Sequence, residues 1–177
     1  MSRQTSGSPQ GKATSTLGTK FNNNGLISTF EELSKFTAVT SIDANAFKGS
    51  SLVEIEVPGR ITALGSDAFR ECPYLKKVIL NEGLLTMSRS FYICASLLNI
   101  TIPSTMTSLG SEPFYRCSAL RYIKVLPTTP PTISGSWLRY SDLAKVYVPD
   151  SSLSAYKAAS GWSTYASRIK PMSEFLD

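Results

Sequence analysis

Three cysteines, Cys72, Cys94 and Cys117, are the residues of this sequence with the most chemical options. A thiolate can act as a nucleophile, bind a metal ion or join a second cysteine in a disulfide. The chain has no histidine, so the usual base of a Cys-His or Ser-His-Asp site and the commonest metal ligand are both absent. No two cysteines form C-x-x-C and three cannot pair completely, so the sequence indicates neither a thioredoxin-like site nor a disulfide framework.

A pair of acids, Glu54 and Glu56, is the second arrangement that could support chemistry. Two positions apart on a strand, their side chains would share one face about 7 Å apart, and paired carboxylates can hydrolyse glycosides. The strand is expected on an open sheet surface rather than in a cleft, with Lys77 opposite Glu54 as a cross-strand charge pair. No glycine-rich phosphate loop or calcium-loop motif occurs. We therefore expect no enzyme, no metal site and no cofactor.

The cysteines belong to a pattern that recurs every 22 or 23 residues. Aromatic residues begin it, at Phe47, Phe69, Phe91, Phe114 and Trp137. Three positions later come Ser50, Cys72, Cys94, Cys117 and Tyr140, and leucines follow at Leu52, Leu75, Leu97, Leu120 and Leu143. A serine and a tyrosine thus share the place of the cysteines, which neither a metal site nor a redox site explains. Cys72 is expected to be a small, buried, unreactive side chain, and a disulfide between neighbouring repeats stays open.

Each repeat ends in a short alternating segment: "LVEIEV", "LKKVIL", "LLNITI", "LRYIKV" and "LAKVYV". The alternation has the period of a half-buried strand. One repeat is too short to bury its own apolar side, so neighbouring repeats must stack. The sequence therefore predicts a solenoid of the α/β repeat type, with one short parallel strand in each turn.

The segments "AVTSIDANAF", "YLKKVIL", "LLNITIPSTMTSLG" and "RCSALRYIKV" resemble the BspA-like leucine-rich repeat, a unit of about 23 residues found in surface proteins of gut Bacteroidetes. "TFEELSKFTAVTSI" is similar to the cap that often precedes such repeats. "AKVYVPDSSLSAYKAASGWSTYASRIKPM" is similar to the segment that usually closes them. The resemblance implies a leucine-rich-repeat fold and a role in adhesion or protein interaction.

The predicted organisation has an extended arm, a repeat domain and a tail. Ser28 and Thr29 with Glu31 and Glu32 form a capping-box signature for a short helix that would cover the first open end. The arm contains almost nothing to bury. The boundaries are 1–28 for the polar arm, 29–38 for the helical cap, about 39–149 for five repeats, 150–171 for the C-terminal cap, so 29–171 for the domain, and 172–177 for the tail.

The charge and hydropathy of the chain exclude several classes of partner. The formal net charge is +5, but basic residues are mixed with acids after the first 28 positions, so no nucleic-acid surface is expected. No apolar run approaches the roughly 20 residues of a membrane span, so no membrane insertion is expected. The first 25 residues lack the apolar core of a secretory signal.

The outward face of the predicted sheet is the candidate binding surface. Its side chains stack in two columns, and aromatic and basic residues gather toward the carboxyl end. Such residues are typical of the centres of protein interfaces. The candidate contact residues are Ile79, Thr101, Tyr122, Lys124, Lys145 and Tyr147.

Two functions are compatible with these features. The first is a non-enzymatic component of a larger surface assembly such as a bacteriophage virion, anchored by arm residues Arg3, Lys12, Lys20 and Phe21. The initial Met and the missing signal favour this hypothesis. The alternative is a bacterial cell-surface adhesion protein of the BspA-like type without its signal peptide. The expected partners are other protein subunits, bound through the arm, and a host-surface protein or glycan. The expected location is the surface of a particle or cell.

Overall fold

The computed structural model describes residues 16–176, and these form a solenoid of stacked coils. All strand pairs are parallel. The strands, in chain order, are β1 Ser41–Ile42, β2 Glu54–Val57, β3 Ala63–Leu64, β4 Lys77–Leu80, β5 Asn99–Ile102, β6 Ser108–Ser111, β7 Tyr122–Val125, β8 Thr132–Ser134, β9 Lys145–Val148 and β10 Ile169–Pro171. One α-helix, α1, spans Leu153–Ala158, and short 3-10 helices span Glu31–Lys35, Asp150–Ser152, Ser163–Arg168 and Met172–Glu174.

The predicted strands form the main ladder of the solenoid. β2 pairs with β4, and β5, β7, β9 and β10 pair in that order. The registers place Glu54 opposite Lys77 and Lys124 opposite Tyr147, as the two predicted columns require. The fold prediction, one short parallel strand per coil, is confirmed.

A second, narrower ladder runs along another side of the coils. β1 pairs with β3 and β6 with β8, and single bridges through Thr86 join the two pairs. These strands hold two to four residues each, too few for an alternating pattern to be visible in the sequence. The second ladder was therefore not predicted.

The repeated phenylalanines form a continuous stack in the interior. Ring centroids lie 5.2 Å apart from Phe47 to Phe69, 5.5 Å from Phe69 to Phe91 and 6.0 Å from Phe91 to Phe114. Successive ring planes differ by 7° or less, and all four side chains are fully buried. Each ring is covered by its neighbours, so the core exists only because the coils stack.

The final repeat is shifted by one residue from the predicted register. Leu138, Ser141 and Ala144 take the buried places that were assigned to Trp137, Tyr140 and Leu143. Tyr140 is 43% exposed and Leu143 66% exposed. The prediction was wrong because the chain holds one extra residue between Gly135 and Leu138, which an aromatic at the expected spacing conceals. Trp137 packs instead against Trp162 and Tyr165 of the C-terminal segment, with ring centroids 5.1 Å apart in both pairs.

Residues 16–28, which were predicted to belong to the extended arm, pack on the first repeat as an incomplete coil. The Phe21 ring stacks on Phe47 at 5.2 Å with an angle of 10°, and Leu17 is buried. The amide of Asn23 donates to the carbonyl of Lys48, just as the amide of Gly49 donates to that of Arg70. The structure differs from the expectation here because two apolar residues in a polar segment are enough to continue the core.

The two ends of the solenoid are closed by different means. At the first end the 3-10 helix Glu31–Lys35 buries Leu33, but no side chain caps it, so the predicted capping box does not form. At the other end α1 and the following residues bind the proline-rich junction before Trp137. The hydroxyl of Tyr156 donates to the carbonyl of Pro127 at 2.7 Å, and Nε1 of Trp162 donates to that of Pro131 at 2.8 Å. Within residues 16–176, no helix has the length and apolar character needed to cross a membrane.

Each coil turns through two residues in the left-handed region of backbone space. The second of these is Gly49 in the first repeat, then Glu71, Ile93, Arg116 and Tyr140 in the following coils. Ile93 has φ of 60°, a conformation that a β-branched side chain strongly disfavours. The stacking of the coils therefore imposes this conformation on Ile93 against its intrinsic preference.

We predict that Phe91→Ala lowers the free energy of unfolding by about 3–5 kcal/mol, because it opens a cavity inside the stack. Phe91→Leu is the matched control, since Leu138 fills the equivalent place in the last coil, and we expect a loss below about 1.5 kcal/mol. Urea denaturation followed by circular dichroism measures both. Equal losses for the two variants would show that the ring stack has no special part in stability.

We predict that Ile93→Asn raises the free energy of unfolding by about 1 kcal/mol, because asparagine accepts the left-handed conformation. Ile93→Val, which keeps the branched β-carbon, should give no gain. The same denaturation experiment separates them. A destabilised asparagine variant would mean that the apolar contacts of Ile93 outweigh its backbone strain.

Candidate functional site

The two acids that could have formed a catalytic pair are engaged in surface interactions. Nζ of Lys77 lies 3.7 Å from Oε2 of Glu54, in the cross-strand position. Oε1 of Glu56 accepts a hydrogen bond of 2.8 Å from Nδ2 of Asn81. Among residues 16–176, no cluster of three or more metal-ligating side chains occurs.

The cysteines form a buried ladder with a structural task. Each thiol donates to the backbone carbonyl of the stacked phenylalanine in the preceding coil. The distances are 3.0 Å from Cys72 to Phe47, 3.0 Å from Cys94 to Phe69 and 3.1 Å from Cys117 to Phe91. In the last coil the hydroxyl of Ser141 donates to the carbonyl of Phe114 at 2.8 Å. The position therefore requires a small donor, which cysteine and serine both supply and tyrosine does not. At Ser50 the hydroxyl lies 3.5 Å from Sγ of Cys72, so the serine found there in the sequence also serves a buried contact between coils.

The thiols lie in an environment that opposes reaction. All three are free cysteines and fully buried. Burial raises the pKa of Cys117 to about 12 and raises that of Cys94 as well. Hydrogen bonding to Cys94, and then to Ser50, lowers the pKa of Cys72, but no part of this side chain reaches solvent. The buried cysteines therefore hold neighbouring coils together and offer no accessible thiolate.

The outward face of the main ladder brings the candidate contact residues together, but not in equal exposure. Ile79, Thr101 and Lys145 are exposed on β4, β5 and β9. Tyr122 and Lys124 on β7 are half-buried, and Tyr147 on β9 is 9% exposed. An outward residue of an open sheet is expected to be exposed, so another part of the chain must cover Tyr147.

The cover is Phe175, in the segment that follows β10. Its ring centroid lies 4.8 Å from that of Tyr122 and 5.0 Å from that of Tyr147, edge to face in both pairs. Nζ of Lys124 lies 3.6 Å from the centre of the Phe175 ring. We call Tyr122, Lys124 and Tyr147 the aromatic clamp. The sequence analysis missed Phe175 because it lies in a short tail without periodicity.

The carboxyl half of this face is basic. Lys170 on β10 is paired in register with Tyr147, so the column across the sheet reads Lys124, Tyr147, Lys170. The outward positions of β5, β7, β9 and β10 carry no acidic residue; they are Asn99, Thr101, Tyr122, Lys124, Lys145, Tyr147 and Lys170. An acidic ligand would meet no like charge on these strands.

The amino half of the face has the opposite character. A cleft of about 400 Å³ opens between the 3-10 helix Glu31–Lys35 and the strands β2 and β4. Glu31, Glu54 and Glu56 line it, together with Lys77 and Ile79. The two-stranded sheet of β2 and β4 therefore carries an acidic cleft, and the four-stranded sheet of β5, β7, β9 and β10 carries a basic aromatic surface.

The residues proposed to anchor the arm are only partly described. Lys20 is exposed, whereas Phe21 is half-buried against Phe47. Arg3 and Lys12 lie outside the described residues. An anchoring role for this segment stays a prediction.

A column of arginine and tyrosine residues follows the left-handed turns, and the sequence analysis did not identify it. Arg70 and Arg89 lie over the ring of Tyr92, at 4.9 and 4.7 Å, and Tyr92 stacks on Tyr115 at 4.7 Å. Arg116 lies 5.1 Å from the ring of Tyr140. Arg70, Tyr92 and Tyr115 each occur one position after a stacked phenylalanine, so their spacing of 22 and 23 residues could have revealed them. Asp67 lies within 3.7 Å of Arg70 and 3.3 Å of Arg89, so the column also stabilises the turns.

Comparison with known proteins places these features in a family. The sequence matches the model of the BspA type leucine rich repeat region in six copies over residues 40–160. The fold is similar to that of a leucine rich cell surface protein from Faecalibacterium prausnitzii A2-165, with a TM-score of 0.60 and 21% identity; the match covers 71% of this chain and 32% of that one. The pneumococcal vaccine antigen PcpA gives a TM-score of 0.49 and 18% identity, over 64% of this chain and 38% of that one. This chain thus spans 32% to 38% of the length of these two structures. No curated protein matches the sequence.

We predict that none of the three thiols reacts with a chromogenic thiol reagent in the folded protein, even at pH 9.0, where an ordinary cysteine is half ionised. The reason is that all three are buried and that the raised pKa of Cys117 keeps its thiol protonated at that pH. After denaturation, three thiols should react. A count of one would reveal a disulfide between neighbouring coils and overturn the packing role.

Proposed function

The chain belongs to the BspA-type leucine-rich repeat family, and we propose that it is a non-enzymatic recognition module that binds a protein partner at a cell surface. The observation that supports this proposal best is the basic aromatic half of the main ladder. Tyrosine and lysine side chains from three adjacent strands face outward there without an acid among them. A rigid parallel ladder fixes their spacing, so recognition needs little ordering of the surface.

A binding role agrees with the state of the chemically capable residues. The thiols are buried, and the carboxylates of Glu54 and Glu56 interact with Lys77 and Asn81. The hydroxyl of Ser104 donates to Oε2 of Glu82 at 2.9 Å, and the same carboxylate accepts the amides of Ser104 and Thr105, so it joins two neighbouring turns. The feature of the solenoid that a partner could bind is therefore the outward face of the main ladder.

The family favours the cell-surface hypothesis over the virion hypothesis. One of the two structures of similar fold is a leucine rich cell surface protein, and neither is described as part of a phage particle. We therefore propose the adhesion or recognition role as the main function. A protein or glycan of a host surface is the partner class that this role implies.

We predict that Lys145→Glu abolishes or weakens binding by about tenfold or more, because it places a negative charge at the centre of the basic surface. Lys157→Glu is the matched control, since Lys157 is also exposed but lies on α1 and not on a strand of the main ladder. The measurement is binding of the purified chain to an array of extracellular host proteins and glycans.

The expected result is at least one bound component whose signal falls with the first variant and persists with the second. Equal signals for both variants would place the binding surface elsewhere on the chain. Protease treatment of intact cells that carry the native gene tests the location. A chain that survives this treatment but is degraded in lysed cells would contradict the cell-surface role.

A further inference from the structure

We propose that the aromatic clamp of Tyr122, Lys124 and Tyr147 is a binding site for the aromatic side chain of an acidic protein segment, and that Phe175 fills this site in the free chain. The inference rests on the proposed function and specifies the chemistry of its partner. The tail would then act as an internal competitor that a partner must displace.

The clamp surrounds the Phe175 ring as a ligand site surrounds an aromatic anchor. Tyr122 and Tyr147 contact it edge to face from adjacent strands, and Nζ of Lys124 lies 3.6 Å from its centre. Edge-to-face contacts and a cation over the ring each contribute favourably beyond the burial of apolar area. The ladder fixes all three residues of the clamp, so the site persists when the occupant leaves.

The occupant belongs to a surface segment, since no described residue after Ile169 is part of the buried core. β10 ends at Pro171, and beyond it the amide of Ser173 donates to Oδ1 of Asp150 at 3.0 Å. Glu174 is exposed, and Leu176 is 88% exposed. Among the described residues, displacement of the segment after Pro171 breaks the clamp contacts and the hydrogen bonding to Asp150, and it leaves the buried core unchanged. An anchor of this kind can be exchanged, whereas Trp137 or Tyr156 cannot.

The charges around the clamp indicate what kind of segment would replace the tail. Lys145 lies opposite Tyr122 on β9 and Lys170 opposite Tyr147 on β10, and the outward positions of β5, β7, β9 and β10 carry no acid. The tail itself reads "MSEFLD", with an acid directly before the phenylalanine. An acidic segment with one aromatic residue would thus meet complementary charge and fill the same site. Beyond the clamp, Thr101 and Ile79 remain exposed for the continuation of an extended ligand.

The test uses the full chain and the synthetic hexapeptide MSEFLD as the probe. The Phe175→Ala chain leaves the clamp empty, and Phe175→Tyr is the matched control that keeps a ring in place. Binding is followed by NMR titration of the tyrosine side chains. A second peptide carries alanine at the position of the phenylalanine.

We expect the hexapeptide to bind the Phe175→Ala chain about tenfold or more tighter than the wild-type or Phe175→Tyr chain, since the tethered ring competes at high effective concentration. Adding Tyr147→Ala to the open chain should remove binding, as should the alanine peptide. Each variant should fold, because the clamp residues lie on the surface and the core stays intact. Circular dichroism checks this for every variant.

Equal binding to the open and wild-type chains, or no binding to the folded open chain, would overturn the clamp. A dimer formed when Phe175→Ala and Tyr147→Ala chains are mixed would assign the site to the tail of a second copy and overturn the proposed partner. The array experiment separates this outcome from a failure of the proposed function. If a ligand from the array requires Lys145 but the hexapeptide does not bind the open chain, the recognition role is retained and the clamp proposal is rejected.

Discussion

The rest of the structure depends on a hydrogen bond that the coils of Cys72, Cys94, Cys117 and Ser141 each make to the coil before them. A thiol or hydroxyl donates to the carbonyl of the stacked phenylalanine in the preceding coil, as Cys94 does to Phe69 and Ser141 to Phe114. Three of these carbonyls also accept an amide from their own turn, Phe47 from Ser50, Phe91 from Cys94 and Phe114 from Cys117, so the side-chain bond uses the second lone pair of the oxygen to join one coil to the next. The bond also fixes the axial position of each coil, so the rings above and below it stack face to face. The spacing of cysteine and phenylalanine along the chain follows from this single requirement.

Those parts of the fold that rest on a repeated contact could be predicted from the sequence. The strands, their register and the buried state of Cys72 follow from period and alternation, which report burial directly. The shift at Trp137, the packing of Phe21 and the tail at Phe175 could not be predicted. Each depends on a contact made once, by an aromatic residue whose neighbours in sequence carry no pattern.

The difference between repeated contacts and contacts made once also explains why only part of the candidate site could be predicted from the sequence. The columns place Tyr122, Lys124 and Tyr147 together, and the ladder does so in the structure. The state of these side chains, however, is set by Phe175, which lies beyond the last repeat. The two sheets of the main ladder therefore provide two unlike surfaces, an acidic cleft beside Glu31 and a basic clamp that the chain itself covers. Recognition by this family member would depend as much on its tail as on its repeats.

The repeated spacing of the contacts also has a consequence for how the chain folds. Side-chain hydrogen bonds between coils join residues 21 to 31 apart, from Thr105 with Leu84 to Trp162 with Pro131. Closing a loop costs entropy that depends only on the logarithm of its length, so each added coil carries nearly the same closure cost. Growth can then start at any adjacent pair of coils and spread in both directions, as in a one-dimensional crystal. Growth stops where Phe21 and Phe30 cover the ring of Phe47 and where Trp162 covers that of Trp137, because these covering rings belong to the two terminal segments and not to a further repeat.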